Sequence, residues 1–264
     1  VIYTCYDMVR DCRAGRPEGR SYFVSQYVPV IQKLVARYFP ECAADGTLIG
    51  RLLVALDRPE SSLFQSLDPA PERWFVAELR QRVLAAVEDF QGQPVPEPEI
   101  DLEILGSALE PFTMVEKQAA WLETMRYTAE EAGVLLRMDP HTVEKIRDKA
   151  RERIRSCLNV WRRTLLADNG RPLGRAAARA HTEPCLADKA FLDVLDGRAT
   201  WRGREEMERH VSTCWHCIDH FCRLAEVVEL LRRLTPLSEA GAHPFYDVLG
   251  IPRRSAPAWK RWLR

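Results

Sequence analysis

The chain has 264 residues, 46% hydrophobic and 29% charged, with 38 basic and 38 acidic side chains. A formal charge of zero excludes a global pull onto nucleic acid or an anionic membrane, so any such binding has to come from a local patch. No apolar run reaches the length of a membrane span and no basic-then-apolar leader opens the sequence. The default expectation is a cytoplasmic protein whose eight cysteines are thiols or metal ligands, not a disulfide framework.

Strand signals are scarce. Apolar residues recur at three- and four-residue spacing, which predicts an all-α fold. The first clear helix is YFVSQYVPVIQKLVARYF (22–39), with Tyr27, Val30, Ile31, Leu34, Val35 and Tyr38 on one face. GTLIGRLLVALDR (46–58) is the second. PERWFVAELRQRVLAAVEDF (71–90) is the third, and Pro71 stands where a helix start tolerates a missing N–H. QGQPVPEPE (91–99) carries three prolines and no aliphatic cluster, so it reads as an extended linker.

A second helical block follows. Thr128 with Glu131 is a capping-box pattern, opening a helix that carries Ala132, Leu135 and Leu136 inward. RMDP ends it. Asp139 is placed to cap the next helix, with Pro140 in its first turn and Val143, Ile146, Ala150 and Ile154 on its apolar face. Two helices joined by a short turn, the second rich in Lys and Arg, outline a helix-turn-helix. LADNGRPLGRAAARAH (166–181) reads as a second linker. The expected organisation is therefore a domain over 1–91, a linker over 92–106, a helix-turn-helix domain over 107–166, a linker over 167–184, a compact helical unit over 185–234, and a tail over 235–264. In that tail Trp259 and Trp262 are expected to pack on the body.

HVSTCWHCIDHFC (210–222) is the segment richest in chemistry. His210 lies one helical turn before Cys214, and Cys214-x-x-Cys217 presents two thiolates to one ion. A tetrahedral site needs a fourth donor from elsewhere. Cys185, at the start of the preceding helix and returned by a turn near Gly197, is the first candidate; His181, His216, His220 and Cys222 compete. Ordinary buried thiols are the plainest alternative. A redox pair at Cys214 and Cys217 is another, but such pairs accompany a βαβ pattern that is missing here. An ion with four protein ligands keeps no open position, so its role is structural. No Gly-rich phosphate loop, paired-carboxylate motif or nucleophile elbow is present, and no enzymatic activity is expected.

The stretch CLADKAFLDVLDGRATWRGREEMERHVSTCWHC (185–217) resembles the zinc-binding anti-sigma domain of bacteria, whose His-x3-Cys-x2-Cys motif and Leu-Asp-Gly turn match His210, Cys214, Cys217 and Leu195 to Gly197. The resemblance implies a structural zinc ion on Cys185, His210, Cys214 and Cys217, which thiol oxidation would expel, and a following helix (218–234) that contacts a sigma factor. The block 109–158 is similar to the fourth conserved region of sigma factors of the extracytoplasmic-function type, through Thr142, Val143, Ala150, Arg151 and Arg153. There a helix-turn-helix reads promoter DNA. On this chain Lys145, Arg147, Lys149 and Arg151 would meet phosphates, and His141 and Thr142 would reach base edges, while Glu144 would repel the backbone.

The first domain resembles the second conserved region of the same family, which binds RNA polymerase and melts the −10 element. Tyr22, Phe23, Tyr27 and Pro29 match its first helix, and Trp74, Phe75 and Leu79 its last. The acidic ending AAVEDFQ opposes phosphate binding, and Trp74, Phe75 and Phe64 are expected in the core. Together the three resemblances imply a sigma factor-like regulator that binds core RNA polymerase and promoter DNA. Its zinc domain would mask it by intramolecular contact until a signal, such as a regulatory protein partner, releases it. The alternative is a degenerate sigma-like adaptor that holds another protein and no longer initiates transcription. No membrane partner is expected.

Overall fold

The computed structural model describes residues 3–43, 45–58, 63–65, 71–92, 102, 110–157, 171–181 and 185–252, with the backbone alone at 154, 155, 157, 171 and 172. The described residues are all-helical and contain no strand. Twelve α-helices follow in order among them: α1 (Cys5–Arg13), α2 (Pro17–Tyr38), α3 (Leu48–Asp57), α4 (Glu72–Gln91), α5 (Met114–Thr124), α6 (Ala129–Leu136), α7 (Pro140–Cys157), α8 (Arg171–Arg179), α9 (Asp188–Leu195), α10 (Trp201–Val211), α11 (Trp215–Arg232) and α12 (Glu239–Val248). None is long and apolar enough to cross a membrane. The chain divides into two units, Val1–Gln93 with Leu230–Arg264, and Pro94–Glu229.

In the first unit, Thr4 and Asp7 form a capping box that starts α1. The hairpin of α1 and α2 is tight. A Cβ on Gly19 would stand 2.6 Å from the Cys12 amide nitrogen, so glycine alone permits this approach. All six residues expected on one face of α2 are buried. They meet an aromatic cluster in which Tyr27 and Phe75 lie 4.8 Å apart and Phe23 meets Phe64 edge-on at 5.2 Å. Phe64 and Phe75 are core residues as expected, whereas Trp74 is half-buried. The buried Tyr27 hydroxyl donates to Glu72 at 2.7 Å, and the buried Arg80 guanidinium donates to the Tyr38 hydroxyl at 2.7 Å, so neither polar group is left bare.

The expected tail contains a helix. α12 is capped by Ser238 and packs against α2 and α3, with Ala242 and Ile251 buried and the Leu237 amide donating to the Ser25 carbonyl at 2.8 Å. Trp259 and Trp262 lie outside the described residues, as does the linker expected over 92–106 apart from Gly92 and Leu102.

In the second unit α6 opens with the predicted capping box of Thr128 and Glu131 and closes at Arg137, which takes a left-handed φ of 54°. The turn folds back so closely that a Cβ on Gly133 would stand 2.7 Å from the Met138 carbonyl oxygen. The Asp139 carboxylate then accepts from the Thr142 amide at 3.1 Å and caps α7. Val143, Ile146, Ala150 and Ala132 are buried; Leu135 and Leu136 are only half-buried, and the side chain of Ile154 lies outside the described set.

Two expectations fail here. The linker expected over 167–184 contains α8, a nine-residue helix whose Leu173 and Ala177 are buried one turn apart. Three consecutive alanines carry high helix propensity, and the arginines among them lose little by being helical. The blocks expected as separate domains over 107–166 and 185–234 share one unit up to residue 229. The α5 face joins them: Trp121 meets Trp215 at a tilt with centroids 5.2 Å apart and donates to Asp219 at 3.1 Å, and Lys117 donates to the Ser212 carbonyl.

Candidate metal centre

The helical hairpin of α9 and α10 positions the first donors. α9 ends at Gly197, whose φ of 72° is one that side chains resist, and the Arg198 and Ala199 amides close on the Asp193 carbonyl. Phe191, fully buried, anchors the hairpin against Phe221 of α11. Thr200 caps α10, which runs back until His210 sits in its last turn. The chain then reverses over Ser212 and Thr213, with the Thr213 and Cys214 amides both donating to the His210 carbonyl at 3.1 Å. Cys214 stands in the reversal, Cys217 in the first turn of α11, and Cys185 just ahead of α9.

These four residues converge. One ligand atom from each of Cys185, His210, Cys214 and Cys217 lies within 4.8 Å of the others. The Cys185 and Cys214 sulfurs are 3.7 Å apart, and His210 Nε2 is 3.1 Å from the Cys217 sulfur. A tetrahedron built on a metal–sulfur distance of about 2.3 Å has an S–S edge of about 3.8 Å. The Cys185–Cys214 edge fits that figure, while the His210–Cys217 edge is shorter than the same geometry gives. This group can hold a metal ion, and three sulfurs with one imidazole is a soft-to-borderline donor set.

Burial raises the thiol of Cys214 and pushes that of Cys217 up to about 12, against the Cys217 amide donating to the Cys214 sulfur and the Leu186 amide donating to the Cys217 sulfur. Those amides are placed to support thiolates once a cation replaces the protons. Of the competing donors, Cys222 is buried within α11 and His220 is engaged by the Asp188 carboxylate. His181 and His216 form a second group with Cys185, again within 4.8 Å. The sequence offered a faint signal for it, since His181 precedes Cys185 by one helical turn's spacing.

Of the groups expected to meet nucleic acid along α7, all but Arg147 reach the surface. His141, Thr142 and Lys145 are exposed. Arg147 is a correction: it is buried rather than presented at the surface, and its Nε donates to the Ala119 carbonyl of α5 at 3.2 Å. Burial holds its guanidinium below the usual range, against the pull of Glu123 and Glu144. Arg151 is committed to Glu123, Glu144 and Asp148, and Lys149 lies 3.7 Å from Glu116 and 4.7 Å above the Phe112 ring. Their charge is largely balanced within the unit.

Compared with known proteins, the chain matches no family model, no curated protein and no solved structure.

Proposed function

We propose that this protein is a sigma factor-like regulatory protein whose second helical unit is organised by a structural zinc ion on Cys185, His210, Cys214 and Cys217. The observation that supports the metal part of this reading is the convergence of those four donors from three separate places in the chain. Zinc suits the set because three thiolates and one imidazole at tetrahedral spacing are its usual structural ligands, with no position left for a reactant. The ion would have no catalytic part.

The unit that holds this centre also holds the α6–α7 helix-turn-helix, through Trp121 with Trp215 and Asp219. Between the two modes of action, promoter reading and adaptor binding, α7 favours the adaptor. Arg147 is buried and Arg151 and Lys149 are paired with carboxylates, which leaves Lys145, with His141 and Thr142, as the open groups of the expected set. A promoter reader relies on many unpaired cations at phosphates.

The experiment is capture of core RNA polymerase by the full-length protein of measured zinc content, run beside a promoter-DNA shift over a salt series. Polymerase capture without a salt-sensitive shift supports the adaptor. A shift that weakens steeply with salt restores promoter reading. Failure of both removes the transcriptional reading, and substoichiometric zinc removes the metal reading.

A further inference from the structure

We infer that the centre accepts a second metal ion, held by His181, Cys185 and His216, with the Cys185 sulfur bridging the two. The inference rests on the first ion being held as proposed above. The three ligand atoms lie within 4.8 Å of one another, and Cys185 is common to this group and to the first.

Four histidines lie along this part of the chain, and their environments differ. His210 belongs to the first set, and His220 is taken by Asp188. His216 Nδ1 lies 3.2 Å from the Ala178 carbonyl oxygen at the end of α8, so Nδ1–H donates there and the Nε2 lone pair is left for a cation. A ligating histidine characteristically donates its second ring nitrogen to such a carbonyl, which fixes tautomer and ring orientation. His181 follows directly on α8 and meets the His216 ring edge-on, with centroids 4.8 Å apart. Thus α8 sets both rings: its last turn accepts from one, and its end carries the other.

The chemistry follows from the shared sulfur. A thiolate sulfur can bridge two cations, so Cys185, common to both groups, is the donor they would share. Two imidazoles and one thiolate suit zinc or a similar borderline divalent ion. Three protein donors leave a coordination position open, and His181 among them is exposed. The second site therefore fills after the first and more weakly, and it is the one of the two that an outside ligand can reach.

The test is metal stoichiometry on the full-length protein, stripped under reducing conditions and dialysed against Zn2+ or Co2+ alone. The wild type should take up about two equivalents, and the double variant His181→Ala with His216→Ala about one, with the cobalt–thiolate charge-transfer band of the first equivalent kept. If helicity shows that this variant misfolds, His181→Gln at the exposed position should still abolish the second equivalent. Uptake of one equivalent by the wild type overturns the second site and leaves the first standing. Two equivalents in a folded variant also overturn it and assign the histidines to capping α8. No uptake at all overturns both sites.

Discussion

The aromatic core of the first unit and the four-donor centre of the second solve the same problem by opposite means. Phe23, Tyr27, Phe64 and Phe75 hold their helices by removing apolar surface from water, and their only polar atom in play, the Tyr27 hydroxyl, is satisfied by Glu72. Around Cys185, His210, Cys214 and Cys217 the short helices α9 and α10 bury little beyond Phe191, Met207 and Val211, and their outer faces are charged. The first arrangement is self-sufficient. The second brings together four donors that could hold a metal ion.

The sharpest way to break this comparison is to take the cation away. Chelation, or Cys217→Ser, should release protection from hydrogen exchange across α9, α10 and the start of α11, while α2 and α4 stay protected. Structural zinc in small domains is worth on the order of 10 kcal/mol, so this is the largest effect expected. Uniform protection in both units after chelation would remove the distinction. The converse substitution is Phe75→Ala. It should cost about 3–5 kcal/mol by denaturant unfolding of the first unit and leave metal uptake unchanged.

A smaller effect is expected from Gly133→Ala. The added methyl would stand 2.7 Å from the Met138 carbonyl, so the turn between α6 and α7 must open, at about 1–3 kcal/mol. Exchange should rise in α6 and α7 with metal content intact; a change of metal content would show that the helix pair and the centre are not separable. The smallest effect is a pH dependence in the first unit. Asp11 accepts from the Tyr3 hydroxyl at 2.8 Å and lies near Arg10 and Arg16, which together hold its carboxyl below the usual range. Its contribution is present above the unfolded carboxylate value of about 3.9 and is lost as pH falls through the lower folded value. Melting followed from pH 6 downward should show that loss, and Asp11→Asn should flatten it.

Much of this was legible in the sequence, for reasons that differ by residue. The buried face of α2 shows in the spacing of large apolar residues, and the Thr128–Glu131 box shows because capping is local chemistry. The four donors could be nominated because thiol and imidazole at His-x3-Cys-x2-Cys spacing have few other uses. What the sequence hid was polar or small. Arg147 reads as a surface cation, yet it sits four residues after Val143 and three before Ala150, on the very face that packs, and it answers an α5 carbonyl there. α8 reads as a linker because its arginines mask the turn-spaced pair Leu173 and Ala177. The common unit of the helix-turn-helix and the metal centre depends on Trp121 meeting Trp215 and Asp219 across a long stretch of chain, which no local pattern records.

The spacing of the four donors also sets an order of events. His210, Cys214 and Cys217 are joined by rings of only a few residues, whereas Cys185 closes one of about 25 residues; ring-closure entropy makes that last step costlier by roughly 1–2 kcal/mol. With the first ion alone bound as proposed, Cys185 would accordingly be the last arm to grip and the first to let go. A thiol-reactive probe added to the protein carrying one equivalent of metal should label that sulfur ahead of Cys214 and Cys217.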